Sequence, residues 1–362
     1  MSSLENSKIC FIIPYPLDSV PGQRFRFEQF LPSLKESGME ISIHPFLTPE
    51  TNRILYRKGF YGRKITGVLM GLIRRIMMLG TIPSASFVFI FREAAPFGPP
   101  FFEWIILKIF KKKVIYDFDD SIWLTDRKTE NILFRMLKWR SKVGFICKRS
   151  HLISCGNEYL ASFSRTFNQN VRIVPTTIDT DFYQTLFQSN PQTIIIGWSG
   201  SVTTIKYFIF AIPVLTALKK KYGEKIAFKV IGDGAYVNNE LNIKGIPWVR
   251  ESELEDLAEI TIGIMPLPDD PWTRGKCGLK GLQYMALGIP TIMSSVGVNK
   301  EIIQDGVNGF LGETMEAWVE KISLLVEDAD LRIEMGRQGR KTVEERFSVK
   351  SQQAIYRSLF TS

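Results

Sequence analysis

Short apolar runs rich in branched residues alternate with helix-like stretches along this chain, and the rhythm starts over once. The runs "ICFIIPYP", "MEISIHPF", "SFVFIF", "KVIYDF", "HLISCG" and "VRIVP" are separated by patterns such as "RFRFEQFLPSLKESG". Apolar runs joined by helical crossovers are the mark of a parallel sheet covered on both faces. After "IVPTTIDTDFYQTLFQSNPQT" the series resumes with "IIIGWSG", "IAFKVIGDG", "IPWV", "ITIGIMPL" and "PTIMSS". A chain of 362 residues is long enough to bury two cores. The expected fold is therefore α/β, with two tandem Rossmann-like domains over residues 1–185 and 186–345. A C-terminal helix over 346–362 is expected to pack near the domain junction.

The formal net charge is +9, and its distribution says more than its sum. Residues 1–185 hold about 26 Lys and Arg against about 16 Asp and Glu, whereas the remainder is nearly balanced. No acidic residue occurs from Thr51 through Arg92, where "RILYRKGFYGRKITGVLMGLIRRIMMLG" mixes basic pairs with apolar residues. The uncharged run Ile65 to Ile73 is far shorter than the ~20 residues of a bilayer span. Two readings stand for residues 53–75: a solvated helix with its apolar face on the core, or a surface that docks on anionic headgroups. Four cysteines lack metal-ligand spacing, and "MSSLENSKIC" lacks the regions of a signal peptide, so a cytoplasmic setting is expected. Only His44 and His151 are present, which leaves little material for a histidine-based triad or metal site. The basic stretch is too aliphatic for nucleic-acid binding, and "IPYPLDSVPGQ" supplies no dinucleotide fingerprint.

"TRGKCGLKGLQYMALGIP", Thr273 to Pro290, is a glycine-punctuated turn entering a short helix. Free N–H groups at such a helix start favour an anion, and Lys276, Lys280 and Gln283 lie in or just after the turn. A phosphate or diphosphate is the natural occupant. The bland alternative is that the glycines serve close packing and the lysines are solvated.

These surroundings resemble the retaining glycosyltransferases of family 4, the glycosyl transferases group 1 set with the GT-B fold. The resemblance rests on "IGWSGSVTTIKY", "VIGDG", "GIPWVRESELEDLA" and "GIMPLPDDPWTRGKCGLKGLQYMALGIPTIMSSVGVNKEIIQDGVNGFLGET". In the first half, "IPYPLDSVPGQRFRFEQFLPSLKESG" and "VIYDFDDSIW" are similar to a bacterial branch associated with cell-surface polysaccharide synthesis. The resemblance implies a nucleotide-sugar donor held mainly by the second domain and a glycan or lipid-linked acceptor approached from the first. It also implies reaction in the cleft between them, with the anomeric configuration retained. No cofactor and no metal are expected, because the nucleotide sugar is itself a substrate.

The departures matter as much. The family usually places two glutamates eight positions apart, one on the transferred sugar and one on the ribose, where this sequence has Gly275 and Gln283. An amide can still bond a ribose hydroxyl. The family's phosphate-binding arginine is replaced by Ser201, after Gly200. Diphosphate binding is accordingly expected of Lys206, Lys276 and Lys280, with N–H groups near Gly278 and Leu279, and with Gly22 across the cleft. Gly232 and Gly234 would let a nucleotide base approach, and Val249 and Arg250 would offer backbone groups to its edge.

"YDFDDSIW" holds Asp117 and Asp119 at a spacing used elsewhere for a divalent metal, a reading set below the cationic site. Asp119 or Asp120 would instead accept a bond from the acceptor hydroxyl or steady the developing sugar cation. Asp120 is weighted toward capping a helix near Ser121, and Asp119 toward the chemistry. Arg24 is preferred to Arg26 for a phosphate near the first loop, Arg26 being read equally as a surface residue. Arg92 and Glu93 either bind acceptor or pair with each other. The leading function is glycosyl transfer at the cytoplasmic membrane face. The alternative is a catalytically weak sugar-nucleotide-binding or scaffold subunit, which the missing glutamates motivate.

Overall fold

A computed structural model describes residues 7–55, 57–125, 131–185 and 192–361. The chain forms two compact units. The first comprises Met1–Thr176 with Gly275–Cys277 and Gln352–Ser362; the second comprises Thr177–Arg274 and Gly278–Ser351.

In the first unit, β1 (Lys8–Ile13), β2 (Glu40–Pro45), β3 (Phe87–Phe91), β4 (Lys113–Phe118), β5 (Leu152–Cys155) and β6 (Val171–Ile173) form one sheet. Its order is β2-β1-β3-β4-β5-β6, and every pair is parallel. All of β3 is buried, as expected of a central strand with both faces covered. One face packs aromatics: Phe11, Phe27 and Phe89 contact one another, and Phe30 stacks on Tyr356 at 4.2 Å.

In the second unit, β7 (Ile194–Ser199), β8 (Ile226–Gly232), the small hairpin β9 (Val237–Asn238) and β10 (Ile243–Lys244), β11 (Ile246–Pro247), β12 (Ile262–Met265), β13 (Thr291–Ser294) and β14 (Phe310–Gly312) follow in order. The six-stranded sheet runs β11-β8-β7-β12-β13-β14, again all parallel. Both sheets change strand order next to the first strand of each unit, so loops at their carboxyl edges diverge there and make room for ligands.

The units divide at Thr176/Thr177 rather than at 185/186, because the following segment is tied into the second unit. Ile178 N–H donates to Phe347 O, Val349 N–H donates to Ile178 O, and Arg340 donates to the carbonyls of Thr180 and Tyr183. The chain end, Gln352–Ser362, belongs to the first unit. Tyr356 and Phe360 enter the aromatic core of the first unit, and Arg172 donates to Ser358 Oγ at 2.7 Å. Apolar burial of those rings, roughly 2–3 kcal/mol each, fixes the segment to that unit.

The 61–79 helix does turn apolar residues to the core, Met78 within it and Val68, Leu72 and Leu79 packed against it, but it carries a second apolar side as well. Its buried residues are Gly67, Gly71, Arg75 and Met78, while Ile65, Leu69 and Ile73 are exposed. Among the described residues, no helix is long and apolar enough to cross a membrane.

Candidate functional site

The first unit gathers charge at the carboxyl ends of β3 and β4. Arg92, just past β3, adopts φ +59°, a left-handed conformation uncommon for a side chain of this size. Two bonds hold it there: Arg92 N–H donates to Asp117 O at 2.8 Å, and Tyr116 O–H donates to Arg92 O at 2.7 Å. Such strain persists only where the surroundings impose it. It aims the guanidinium at the two carboxylates that follow β4. Arg92 donates to Asp119 Oδ1 from Nε at 2.9 Å and from Nη2 at 2.6 Å, and to Asp120 Oδ2 at 2.7 Å. Lys276 Nζ completes the set, 2.7 Å from Asp120 Oδ1. A Cβ on Gly22 would lie 3.1 Å from both Arg92 Nη2 and Asp119 Oδ2, so glycine lets the backbone approach the cluster.

Electrostatics here are set by burial and pairing. Burial pushes the Asp119 carboxyl above the ordinary aspartate range, with Arg92 opposing and Asp120 adding to the rise. Burial works against the charge on Arg92 and on Lys276, yet the neighbouring aspartates raise both. Beneath them Arg26 and Asp117 form a second pair, 2.5 Å between Nη2 and Oδ1, with both side chains 1% exposed. Arg26 also donates to Val174 O and is thus an interior residue, not a surface one. Asp117 is committed to this pair.

Several expectations are corrected. No helix starts at Ser121; residues 121–124 form a turn, and the Asp120 carboxylate bonds to cations instead of capping. Glu93 pairs with Lys142 at 2.7 Å and with Lys138 at 3.6 Å, not with Arg92. Lys276, expected with the second domain's donor lysines, lies with Arg92, Asp119 and Asp120 in the first unit, where Gly22 was expected and is found. The Arg24 guanidinium stacks over the Phe25 ring at 4.4 Å.

Gly275 has a steric reason. A Cβ there would run into Ser121 Oγ, so the glutamate usual at this position would not fit against that turn. The segment is pinned on either side: Asn157 Nδ2 donates to Lys276 O at 3.0 Å, and the Cys277 thiol donates to Asp119 O at 3.2 Å.

The second unit presents a different surface at its carboxyl edge. Gly232 has φ +131°, and a Cβ on it would meet the carbonyl of Gly200, so the ends of β7 and β8 touch backbone to backbone. Gly234 sits against Pro247 in the same region. Gly278, at φ +72°, precedes the helix Leu279–Ala286, and a side chain there would strike Ile302. Lys280 Nζ lies 5.5 Å from the centre of the Trp198 ring, and the exposed Lys206 lies 5.0 Å from that of Tyr207. Both contacts are cation–π in geometry. Val249 and Arg250 are exposed, in the turn before the helix Glu253–Ala258.

Gln283 is buried, and its amide donates to Tyr183 Oη and Glu253 Oε1, each at 3.0 Å. Trp248 Nε1 donates to the same carboxylate oxygen at 3.2 Å. Sequence reasoning missed Glu253, Tyr183 and Tyr284. Tyr284 bonds Ser199 through its hydroxyl, accepting from the backbone N–H at 2.6 Å, and so fixes the turn after β7. No local spacing signals these partners, since they lie 30 to 100 residues from the groups they touch. Among the described residues, no group of three or more His, Cys, Asp or Glu is arranged to hold a metal ion.

Two Rossmann-like units, each built on a parallel six-stranded sheet, are the GT-B fold. Residues 193–328 match the family model described as Glycosyl transferases group 1. No curated protein matches the chain. Among solved structures, the sucrose-phosphate synthase of Thermosynechococcus elongatus is similar, with TM-score 0.70 and 12% identity over 98% of this chain and 100% of the other. Alr3699/HepE of Anabaena, solved with UDP and glucose, gives 0.66 and 12% over 99% and 100%. A glycosyltransferase of Rickettsia africae gives 0.66 and 14% over 99% and 98%. At such identities the likeness concerns the fold. The family match indicates sugar transfer from a nucleotide sugar.

Proposed function

We propose that the chain is a retaining glycosyltransferase that moves a sugar from a nucleotide-sugar donor to a glycan or lipid-linked acceptor in cell-surface polysaccharide synthesis, at the cytoplasmic face of the membrane. The observation that carries this reading is the glycine-opened turn at Gly278, with Lys280 and Gln283 on the helix it begins, inside the family-matched segment. Cleaving a sugar–phosphate bond builds charge on the departing diphosphate. Preorganised N–H groups and lysines stabilise that charge without a metal. The close contact of Gly232 with Gly200 leaves backbone groups at the ends of β7 and β8 for a base and ribose to approach, and Gln283 with Glu253 offers polar groups to the ribose hydroxyls. Structures of similar fold hold UDP or UDP-glucose, which makes a uridine nucleotide the first to try.

In this reading the Asp119 and Asp120 pair receives the acceptor. A carboxylate there orients the attacking hydroxyl and takes its proton, while Arg92 holds both acids in place. A second reading, a sugar-nucleotide-binding subunit with weak catalysis, is favoured by Gly275 and Gln283 standing where glutamates are usual.

The test is calorimetric binding of UDP, GDP and their sugars with and without EDTA, on wild type and on Lys280→Ala, followed by a donor-hydrolysis assay. Metal-independent binding weakened about tenfold or more by Lys280→Ala is expected. Binding that requires metal and ignores the substitution sinks the donor assignment. Tight binding with neither hydrolysis nor transfer supports the second reading.

A further inference from the structure

The 61–79 helix is apolar on two sides, one of them packed on the core through Val68, Leu72, Met78 and Leu79 and the other exposed. Gly67 lies against Thr51 and Gly71 against the Phe46 ring, each so closely that a Cβ would collide. Arg75 is buried beside them, its guanidinium donating to the carbonyls of Ala94 at 2.6 Å and of Ile13 and His44 at 2.7 Å. Two glycines and one bonded arginine thus bring the helix close to the unit, and Val68, Leu72, Met78 and Leu79 supply the inward apolar stripe of an ordinary surface helix. A second apolar stripe points outward: Tyr61, Ile65, Leu69 and Ile73 recur every four residues, continued by Ile76 and Met77. Exposure reaches 61% at Ile65, 55% at Leu69 and 71% at Met77. A run of large apolar side chains of this extent is uncommon on a surface that faces only water.

Charge decides what covers it. Arg57, Lys58 and Arg63 are exposed at and before the helix start, and no acidic residue occurs between Thr51 and Arg92. Pairing with a second copy would bring this basic set against itself with no carboxylate in the segment to meet it. An anionic lipid surface supplies both needs, phosphates for the bases and acyl chains for the stripe.

We propose that the 61–79 helix lies in the plane of an anionic bilayer, with its outward face sunk to the boundary between headgroups and acyl chains. The docking stands independently of the catalytic reading. Its consequence for substrate rests on that reading: Arg75 grips Ala94, two residues past Arg92, so a bound helix would hold the Asp119 cluster beside the bilayer, where a lipid-linked acceptor presents its hydroxyl.

The full chain is sedimented with phosphatidylcholine vesicles with and without phosphatidylglycerol, at low and high salt. Wild type is expected to bind the phosphatidylglycerol vesicles and to bind less at high salt. Leu69→Asp/Ile73→Asp should weaken binding by roughly a hundredfold, since each buried aliphatic side chain is worth about tenfold in partition. Leu69→Trp, at an exposed position, reads depth directly: its fluorescence should be quenched by brominated acyl chains. Wild type left in the supernatant, a doubly substituted protein that binds as wild type does, or an unquenched tryptophan would each overturn the proposal. So would a stable dimer dissolved by the double substitution. UDP calorimetry on the same samples keeps the two readings apart: vesicle binding without nucleotide binding removes the glycosyltransferase reading and leaves the docking.

Discussion

The polar groups at the carboxyl edges of the two sheets are built on opposite plans. In the first unit, charges are paired among themselves, two aspartates with Arg92 and Lys276 above a buried Arg26–Asp117 pair. In the second unit, backbone approach does the shaping, through Gly200, Gly232 and Gly278, and the lysines lie over aromatic rings. A neutralised ionic cluster is suited to orienting a hydroxyl and taking a proton. A surface of glycine backbone with cations beside it is suited to an anion.

The sharpest break in that contrast is removal of a cation from the first unit. Arg26→Met leaves Asp117 buried without its partner, and the expected loss is about 3–5 kcal/mol by chemical denaturation. A change below about 1 kcal/mol would mean that the pair is dispensable to the unit.

Next in size is Gln283→Glu, which restores the residue usual in the family. It sets a second carboxylate where the amide lies 3.0 Å from Glu253 Oε1. One acid of the pair is then raised above its unfolded value, so the protein should be close to wild type at low pH and lose about 2–3 kcal/mol as pH rises through that raised value. Adding Glu253→Gln should restore stability at neutral pH. Denaturation at several pH values measures both.

Smaller in stability but visible in rate is Asp119. Because burial raises its carboxyl in the folded state, its contribution to stability is complete below the unfolded aspartate value and is lost as pH rises through the folded one. The acid limb of kcat/KM should sit above the ordinary aspartate range and vanish in Asp119→Asn, with kcat/KM down roughly a hundredfold. An unchanged limb would move the acceptor chemistry elsewhere.

The smallest expected signal comes from the thiols. All four cysteines are buried; burial pushes Cys10 up to about 11 and Cys155 up to about 12. Folded protein should therefore react with a disulfide reagent at neutral pH only as fast as it opens, and unfolded protein at all four positions. Prompt labelling of Cys277 in the folded protein would show that the 275–277 segment leaves the Asp119 cluster.

What could be read from sequence follows the range of the interaction. The strand rhythm, the parallel sheets and the glycine turn at Gly278 are local patterns, since a period of apolar residues or a positive φ is set by near neighbours. The motif order from Gly197 onward placed the family for the same reason. Asp119 and Asp120 were legible as acids at a strand end, but their partners were not. Lys276 reaches Asp120 across 156 positions, and Arg26 reaches Asp117 across 91.

The sequence by itself thus determined two α/β units, the excess of base in the first, and a candidate anion turn in the second. Only the tertiary structure decided that Lys276 joins the first unit's acids, that Gly275 is required by Ser121, and that Gln283 is held by Glu253. It also decided which side of the 61–79 helix faces out. Apolar residues lie on both sides of it, and periodicity does not say which of them pack inward, as Val68 and Leu72 do. That is set by whether neighbouring elements offer a space for side chains or, as Thr51 and Phe46 do here, only room for glycine.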